Sequence, residues 1–408
     1  MIRETVNYWV ANFCIRMVPL KDTSKALLIG LSSRILVMAV FAVSSVLFTT
    51  TASSPVNPIP LVSLFSRWDS GWYRAIAEIG YPLGTPPKGE WAFFPLYPVA
   101  MKGLSTVFLP FFSFVNALNL AGFIISNVSF FVSVYFFYKL TNKLLNNAKI
   151  AMASTVFYCF FAGAVFYSAV YSESLFMALA LASFYYLEDN QLYKSVLFGF
   201  LASFTRSDGF LICLPFVVSA LFSNRNKIKT LKLSLSAAII VSPFLLFQAV
   251  GYVLVGVFPI SLVARTQVWG TYPPLLIQFF VYPLQVHDKT GYQALYTTGF
   301  MLMLLPIICL CLSETLQKSQ SLHDLKNYLV NNSKMLQYWS YYISTLILVF
   351  TTCYIGSTIR YSVTMLPIYW ASAAIYGKNR LIGIALFATM VATLMIGSYL
   401  LEINGYFM

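Results

Sequence analysis

Long apolar runs alternate with short polar segments along almost the whole chain. A helix needs about 20 predominantly apolar residues to cross the hydrocarbon core of a membrane. Because runs of about that size recur here, the pattern predicts an all-α polytopic membrane protein. Nine windows qualify, at residues 26–48, 112–138, 150–170, 172–187, 232–257, 292–312, 336–356, 361–377 and 381–401.

Residues 195–223 do not fit this pattern as an ordinary span. The apolar arm on each side of Arg206-Ser207-Asp208-Gly209 is too short to cross the membrane alone. We predict a hairpin of short or tilted helices whose charged tip reaches the outer side or a water-filled cavity. The alternative is one long helix that inverts the second half of the chain, but inversion would place two or more basic clusters outside. With the hairpin, the chain has about eleven membrane segments.

Basic residues fall in five short clusters between the apolar runs, near residues 3–25, 139–149, 225–232, 318–334 and 378–380. All five can face the cytoplasm at once, which places the N-terminus inside. The remaining connections form outer loops at about 49–111 and 258–290. We expect a single integral membrane domain over residues 1–408, with interfacial helices in the large first outer loop.

Composition excludes a soluble globular protein. Apolar residues make up 59% of the chain and charged residues only 10%, against about a quarter in soluble domains. The net charge of +13 lies in the short loops, so it predicts cytoplasmic segments beside a membrane and no nucleic-acid partner.

Asp69 stands near the start of a predicted amphipathic helix that lies in the membrane interface. One face of this helix carries Trp68, Trp72, Ala75, Ile76 and Ile79, and the other carries Arg74 and Glu78 as an i,i+4 pair. A carboxylate at the boundary between these faces can meet a lipid-borne reactant and a soluble one, and partial desolvation would strengthen it as a base. The alternative is that Asp69 only caps the helix, while Trp68 and Trp72 anchor it in the interface.

Glu173 is predicted at the outer membrane face, in a turn that joins two apolar runs. An unpaired acid there would be costly, so Glu173 needs a cation partner such as Arg206, or a function. Arg206 and Asp208 are two residues apart and would not face each other on a helix. We therefore expect each of them to find its partner elsewhere.

Five arginines are predicted on the outer side: Arg67, Arg74, Arg206, Arg265 and Arg360. The planar guanidinium suits a phosphate group, because it donates two parallel hydrogen bonds; for any single arginine, snorkelling to the interface is the alternative. The sequence has no Asp-x-Asp pair, no Gly-rich phosphate loop and no HExxH motif. We therefore expect neither a divalent metal nor another cofactor.

The first outer loop contains the segments Arg67-Trp68-Asp69-Ser70-Gly71-Trp72-Tyr73, Ile76-Ala77-Glu78-Ile79-Gly80-Tyr81 and Ala92-Phe93-Phe94-Pro95-Leu96-Tyr97-Pro98. In these segments it resembles the first outer loop of the PIG-V family of mannosyltransferases. Three further segments are similar to the family: 166–176, Thr205-Arg206-Ser207-Asp208-Gly209 and Ile359-Arg360-Tyr361. Asp208 stands where the family is expected to have Asn. The resemblance covers most of the chain up to about residue 210.

The resemblance implies a glycosyltransferase of the GT-C fold that works on the outer or lumenal face. The family takes mannose from a polyprenyl phosphate, usually dolichyl phosphate mannose, and adds it to a glycosylphosphatidylinositol (GPI) precursor. It implies that Asp69 is the general base of an inverting transfer. Arg67, Arg206 and Arg360 are then candidates for binding the donor phosphate. The candidates for binding substrate are Trp68, Trp72, Tyr73, Glu78, Phe94, Tyr97, Glu173 and Asp208.

Other functions remain open from the sequence. One is a GT-C transferase with a protein or another glycan as acceptor, and another is a flippase for lipid-linked sugars. The expected partners are membrane lipids, the lipid-linked donor and the acceptor, with a small membrane subunit as a possible addition. The host membrane is either the endoplasmic reticulum or a prokaryotic plasma membrane.

Overall fold

A computed structural model describes residues 21–47, 60–222, 226–270, 299, 301–306, 308, 333–352 and 357–404. These residues form helices and connecting turns, and they contain no β-strand. The helices with described bounds are α1 (Asp22–Leu47), α2 (Pro60–Leu64), α3 (Ser70–Ile79), α4 (Leu96–Ser105), α5 (Phe114–Leu145), α6 (Ala148–Cys159), α7 (Glu173–Glu188), α8 (Leu192–Ser203), α9 (Cys213–Leu221), α10 (Lys227–Val255), α11 (Ile260–Trp269), α12 (Ser333–Thr352), α13 (Thr358–Ser362), α14 (Leu366–Lys378) and α15 (Arg380–Asn404). Short 3-10 turns lie at Gly89–Ala92, Ala164–Tyr167 and Gly209–Ile212.

Four of the helices are long and apolar enough to cross a membrane. They contain the segments Asp22–Val43, Phe114–Leu145, Lys227–Val255 and Arg380–Ser398, and each of these coincides with a window predicted from the sequence. An integral membrane protein is therefore confirmed. The number of eleven membrane segments stays a prediction, and residues 271–290 and most of the 292–312 window lie outside the described residues.

The helix α7 lies at the centre of the molecule, where it packs between α5 and α8. Its 16 residues rise about 24 Å at 1.5 Å per residue. Glu173 begins the helix, and just beyond its other end Asp189 pairs with Lys143 at 2.5 Å. Because most of α7 is buried by protein, it does not need the length of a lipid-exposed span.

The predicted helix over 150–170 is wrong in its second half. The helix α6 ends at Cys159, and a turn followed by the 3-10 turn Ala164–Tyr167 leads to α7. At Gly163, a Cβ atom would lie 2.5 Å from the carbonyl oxygen of Ile359. A distant segment therefore packs directly on this backbone, which the run of apolar residues did not reveal.

The predicted break within residues 195–223 is confirmed. The helix α8 ends at Ser203 and the next 3-10 turn begins at Gly209. A Cβ at Gly209 would lie 2.7 Å from Cα of Ser203, so only glycine fits this sharp turn. Arg206 lies within it, between two short helices.

Residues 60–111, the described part of the predicted first outer loop, contain helices, and their place in the membrane interface stays a prediction. The helix α3 buries Ser70, Tyr73, Ile76 and Ala77, so its inward face differs from the predicted tryptophan stripe, and Ile79 is 74% exposed. Arg74 donates to Asn119 at 3.4 Å, whereas the sequence predicted a pair with Glu78.

A second, smaller hydrophobic cluster joins this loop to α10 and α11. It consists of Trp91, Phe94, Phe247, Val255, Ile260 and Ala264. The helix α11 packs against the 3-10 turn Gly89–Ala92, and Gln248 of α10 donates to the Ser261 hydroxyl at 2.8 Å. This cluster fixes the outer loop beside α3, the helix that follows Asp69.

Candidate active site

Five charged side chains from four parts of the chain form one buried network. Arg360 donates through Nη1 to Oδ2 of Asp69 and through Nε to Oε1 of Glu173 at 2.5 Å. Arg206 donates through Nη1 to the same Glu173 oxygen at 2.6 Å and through Nε to Oδ1 of Asp208 at 2.9 Å. Each residue is at most 8% exposed. Three carboxylates thus face two guanidinium groups.

Asp69 occupies the N-cap position of α3, but its side chain makes no capping hydrogen bond. Its carboxylate is bonded to Arg360, 291 residues further along the chain. Trp68 has φ of 48°, a left-handed conformation that is strained for a bulky residue and concentrates at functional sites. The backbone is therefore strained just before a carboxylate that binds an arginine, and the interpretation of Asp69 as a simple N-cap is wrong.

Arg360 is held in place by packing as well as by its ion pairs. Its guanidinium lies 4.4 Å from the ring centroid of Tyr171, a cation–π contact. Close packing of α13 on Gly163 brings Arg360 to the turn before α7. Burial alone would lower the pKa of Arg360, but the negative charges of Glu173 and Asp69 raise it well above its usual value. The arginine is therefore charged throughout the physiological range.

Glu173 is fully buried and joins the two halves of the network. Its Oε1 accepts from both arginines, while Oε2 is buried and has no hydrogen-bond partner within the described residues. Leaving a buried oxygen unpaired costs free energy. Oε2 of Glu173 is therefore an acceptor that a donor on a bound ligand would satisfy. The predicted pairing of Glu173 with Arg206 is confirmed.

Arg206 and Asp208 pair with each other, contrary to the expectation that each has a partner elsewhere. The expectation assumed helical geometry, in which residues two apart point in different directions. Here the chain turns sharply between α8 and Gly209, so the side chains can meet. Arg206 additionally bonds Glu173, while Asp208 closes this end of the network.

A narrow cleft opens next to the network. It is lined by Phe41, Leu64, Phe65, Arg67, Trp68, Val165, Phe166, Ala169 and Tyr171. One wall of the cleft includes the ring of Tyr171 that contacts Arg360. The cleft therefore combines an apolar surface with the cationic residue Arg67 beside the buried carboxylates.

The other residues predicted to bind substrate lie in different surroundings. Tyr73, Phe94 and Tyr97 are at most 3% exposed; the Tyr73 hydroxyl lies 2.7 Å from Oγ of Ser172, and the Tyr97 hydroxyl donates to the Gly122 carbonyl at 3.0 Å. Burial, followed by the charge of Glu173, raises the pKa of Tyr73 well above its usual value. Glu78 is exposed on the last turn of α3. Substrate contact by these four residues stays a prediction.

Arg34 was not among the predicted site residues, although it supports the site. It is 2% exposed within the apolar helix α1 and donates to the Ala164 carbonyl at 2.7 Å and to the Ser168 hydroxyl at 2.9 Å. Its guanidinium lies 4.1 Å from the Phe130 ring centroid. Arg34 thus holds the turn that leads to Tyr171 and Glu173. An arginine within an apolar run is itself a signal of such a role.

A region that includes the outer loop after residue 57 and most of this network matches a known family. Residues 57–257 match the family described as mannosyltransferase (PIG-V). These residues belong to the PIG-V family. The matched region contains four of the five network residues, and Arg360 lies beyond it.

Two curated relatives are similar to part of this chain. GPI mannosyltransferase 2 from Schizosaccharomyces pombe is 27% identical over 202 residues, which are 46% of this chain and 41% of the relative. GPI alpha-1,6-mannosyltransferase 2 from Cricetulus griseus is 28% identical over 207 residues, which are 47% of this chain and 41% of the relative. The similarity therefore spans less than half of either relative.

Two solved structures resemble the whole chain more loosely. The crystal structure of the Archaeoglobus fulgidus oligosaccharyltransferase with zinc and sulfate has a TM-score of 0.46 and 13% identity, covering 93% of this chain and 53% of that one. The oligosaccharyltransferase AglB from the same organism, in complex with an inhibitory peptide and a dolichol-phosphate, has a TM-score of 0.44 and 11% identity, covering 92% and 55%.

Proposed function

We propose that this chain is an integral-membrane mannosyltransferase of the GT-C fold. It would move mannose from a polyprenyl phosphate, dolichyl phosphate mannose in the usual case, to a glycolipid acceptor that resembles a GPI precursor. The observation that carries the proposal is Asp69, within the PIG-V region. Its carboxylate makes no hydrogen bond to cap the helix and instead forms a buried ion pair with Arg360.

In this mechanism Asp69 acts as the general base. It accepts the proton of the acceptor hydroxyl while that oxygen forms a bond to the anomeric carbon of mannose. The bond from the anomeric carbon to the phosphate oxygen breaks, and the polyprenyl phosphate leaves with the electron pair. A single displacement inverts the anomeric centre, so a β-linked donor gives an α-mannoside. The name of one relative specifies an α-1,6 linkage.

The arginines stabilise the leaving phosphate in place of a metal ion. Arg360 uses Nε and Nη1 for Glu173 and Asp69, and Nη2, which makes no hydrogen bond to the described residues, would donate to a phosphate oxygen. Arg67 lines the narrow cleft next to it and would be a second donor to the phosphate. Arg206, bonded to two carboxylates, would act from further inside the network.

The proposed reaction takes place at the outer or lumenal face, with the N-terminus in the cytoplasm. The network lies at the Glu173 end of α7, whereas Lys143 and Asp189 pair at the opposite end. Since Lys143 belongs to a basic cluster predicted to face the cytoplasm, this arrangement supports an outer site.

The test uses full-length protein in nanodiscs with radiolabelled dolichyl phosphate mannose and a panel of membrane lipids. We expect label in a new lipid, released by α-mannosidase, with equal yield in the presence of EDTA. Label in a protein band would instead favour a protein acceptor, and movement of the donor between leaflets without a new glycosidic bond would favour a flippase. The proposal would be overturned if the protein transfers no mannose, either when it is assayed alone or when it is co-expressed with membrane subunits.

A further inference from the structure

Three aromatic rings from separate elements meet beside the start of α3. They are Trp72 of α3, Phe93 after the 3-10 turn Gly89–Ala92, and Trp269 at the end of α11. The ring centroids of Trp72 and Trp269 are 5.8 Å apart with planes at 66°, and Phe93 lies 6.2 Å from Trp72 and 5.9 Å from Trp269. All three are half-buried. The two indole planes therefore meet in a corner beside Phe93, and part of each side chain stays exposed.

The corner is formed by specific packing of the outer loop. A Cβ at Gly89 would lie 2.7 Å from the Trp72 ring and 3.0 Å from Val268. Only glycine therefore allows the 3-10 turn to pack against Trp72 and α11 together. A tryptophan that served only as a membrane anchor would not need a glycine to hold a second indole beside it.

This aromatic corner is close to the proposed base. The backbone N–H of Trp72 donates to the carbonyl of Asp69 at 3.0 Å, so the two residues are one helical turn apart. Residues three apart on a helix have Cβ atoms about 5–6 Å from each other. The ring centroids of Phe93 and Tyr73 are 5.0 Å apart. The hydroxyl of Tyr73 in turn contacts Ser172, which precedes Glu173 in the chain.

The chemistry of the corner suits one class of ligand. The face of a pyranose ring presents C–H groups, which carry a small positive charge, and the face of an indole carries negative charge. Indole N–H groups can also donate to hydroxyls at the edge of the sugar. A sugar held here keeps its hydroxyl groups free to reach Asp69, whereas a fully apolar lipid chain would gain nothing from the two N–H donors.

We propose that Trp72, Phe93 and Trp269 form a stacking subsite for a pyranose of the acceptor glycan. This inference rests on the proposed transferase function, since the subsite orients the acceptor hydroxyl toward Asp69. The binding of a sugar can nevertheless be measured without any transfer.

The experiment uses saturation-transfer NMR to measure the magnetisation that passes from the full-length protein in nanodiscs to the protons of α-linked mannobiose. No mannose donor is present. We expect saturation of the C–H protons on one face of one ring, and about a tenfold weaker Kd for Trp72→Leu and for Trp269→Leu. Trp339→Leu is the matched control, because Trp339 is also half-buried and meets Tyr342 edge-on at 5.5 Å. Its Kd should equal that of the unaltered protein.

In the transfer assay, the same two variants should raise KM for the acceptor about tenfold and leave KM for the donor unchanged. The subsite would be overturned if sugar binding survives both substitutions. It would also be overturned if both faces of the sugar are saturated equally in the unaltered protein. If either variant fails to fold, the epitope map of the unaltered protein decides alone. Selective sugar binding without transfer by any preparation would remove the proposed function and leave the subsite standing.

Discussion

Arg360 joins Asp69 to the rest of the charged network. It bonds two carboxylates through different nitrogens, one from α3 and one from α7. A lysine has a single ammonium group and cannot reproduce this fork. The geometry therefore distinguishes Arg360 from an arginine that merely reaches toward the interface.

Arg360→Lys is expected to lower the turnover number at least 100-fold, because one buried carboxylate loses its partner. Breaking a buried, hydrogen-bonded charge pair costs about 2–5 kcal/mol. The initial rate of mannosyl transfer at saturating donor measures the effect. Arg74→Lys is the control, since Arg74 makes a single 3.4 Å bond to Asn119. Equal rates in the two variants would contradict the role of Arg360.

Arg34→Met is expected to destabilise the protein by about 1–3 kcal/mol, because it leaves buried acceptors of the 159–168 turn without a donor. Thermal unfolding in detergent measures this loss. The variant should also show a reduced turnover number, since that turn positions Glu173. A melting temperature equal to that of the unaltered protein would show that the turn does not depend on Arg34.

Among the elements, α13 reaches the site only because α6 and α7 are connected by a turn with glycine at its surface. Gly163→Ala would place a Cβ 2.5 Å from the Ile359 carbonyl and push Arg360 away from Asp69. We expect the free energy of unfolding to fall by about 1–3 kcal/mol. The turnover number should also fall, because Arg360 no longer meets Asp69. Gly103→Ala is the control, because no atom lies within 4 Å of its Cβ position. Equal behaviour of the two variants would contradict this packing.

The sequence predicted elements better than it predicted contacts. The helix after Asp69 and the break at Arg206 followed from periodicity and from charge within apolar runs. The bond from Asp69 to Arg360 could not be predicted, because 291 residues separate the partners and no local pattern links them. The pair of Arg206 and Asp208 was missed because helical geometry was applied to a turn. The catalytic role of Asp69 stays a prediction of the sequence.

At the scale of the whole molecule, the account requires the two ends of α7 to face opposite sides of the membrane. The exposed Glu78 lies in the predicted first outer loop, and the exposed Lys149, the second residue of α6, belongs to a basic cluster predicted to face the cytoplasm. In a cysteine-free background, Glu78→Cys should react with an impermeant maleimide added outside intact cells. Lys149→Cys should react only after the cells are opened. The reverse pattern would invert the proposed topology.

The central claim is that Asp69 removes the acceptor proton. Asp69→Asn keeps the shape of the side chain and an oxygen for Arg360, but loses the negative charge that accepts a proton. The most direct measurement is single-turnover transfer from labelled dolichyl phosphate mannose, with Asp22→Asn as control, because Asp22 pairs with Lys25 at the start of α1 at 3.0 Å and belongs to no proposed site. The account predicts a rate reduced by a factor of about 10²–10⁴ while the protein still accumulates in the membrane and binds the donor, and a normal rate for the control. Transfer by Asp69→Asn at a rate near that of the unaltered protein would contradict it.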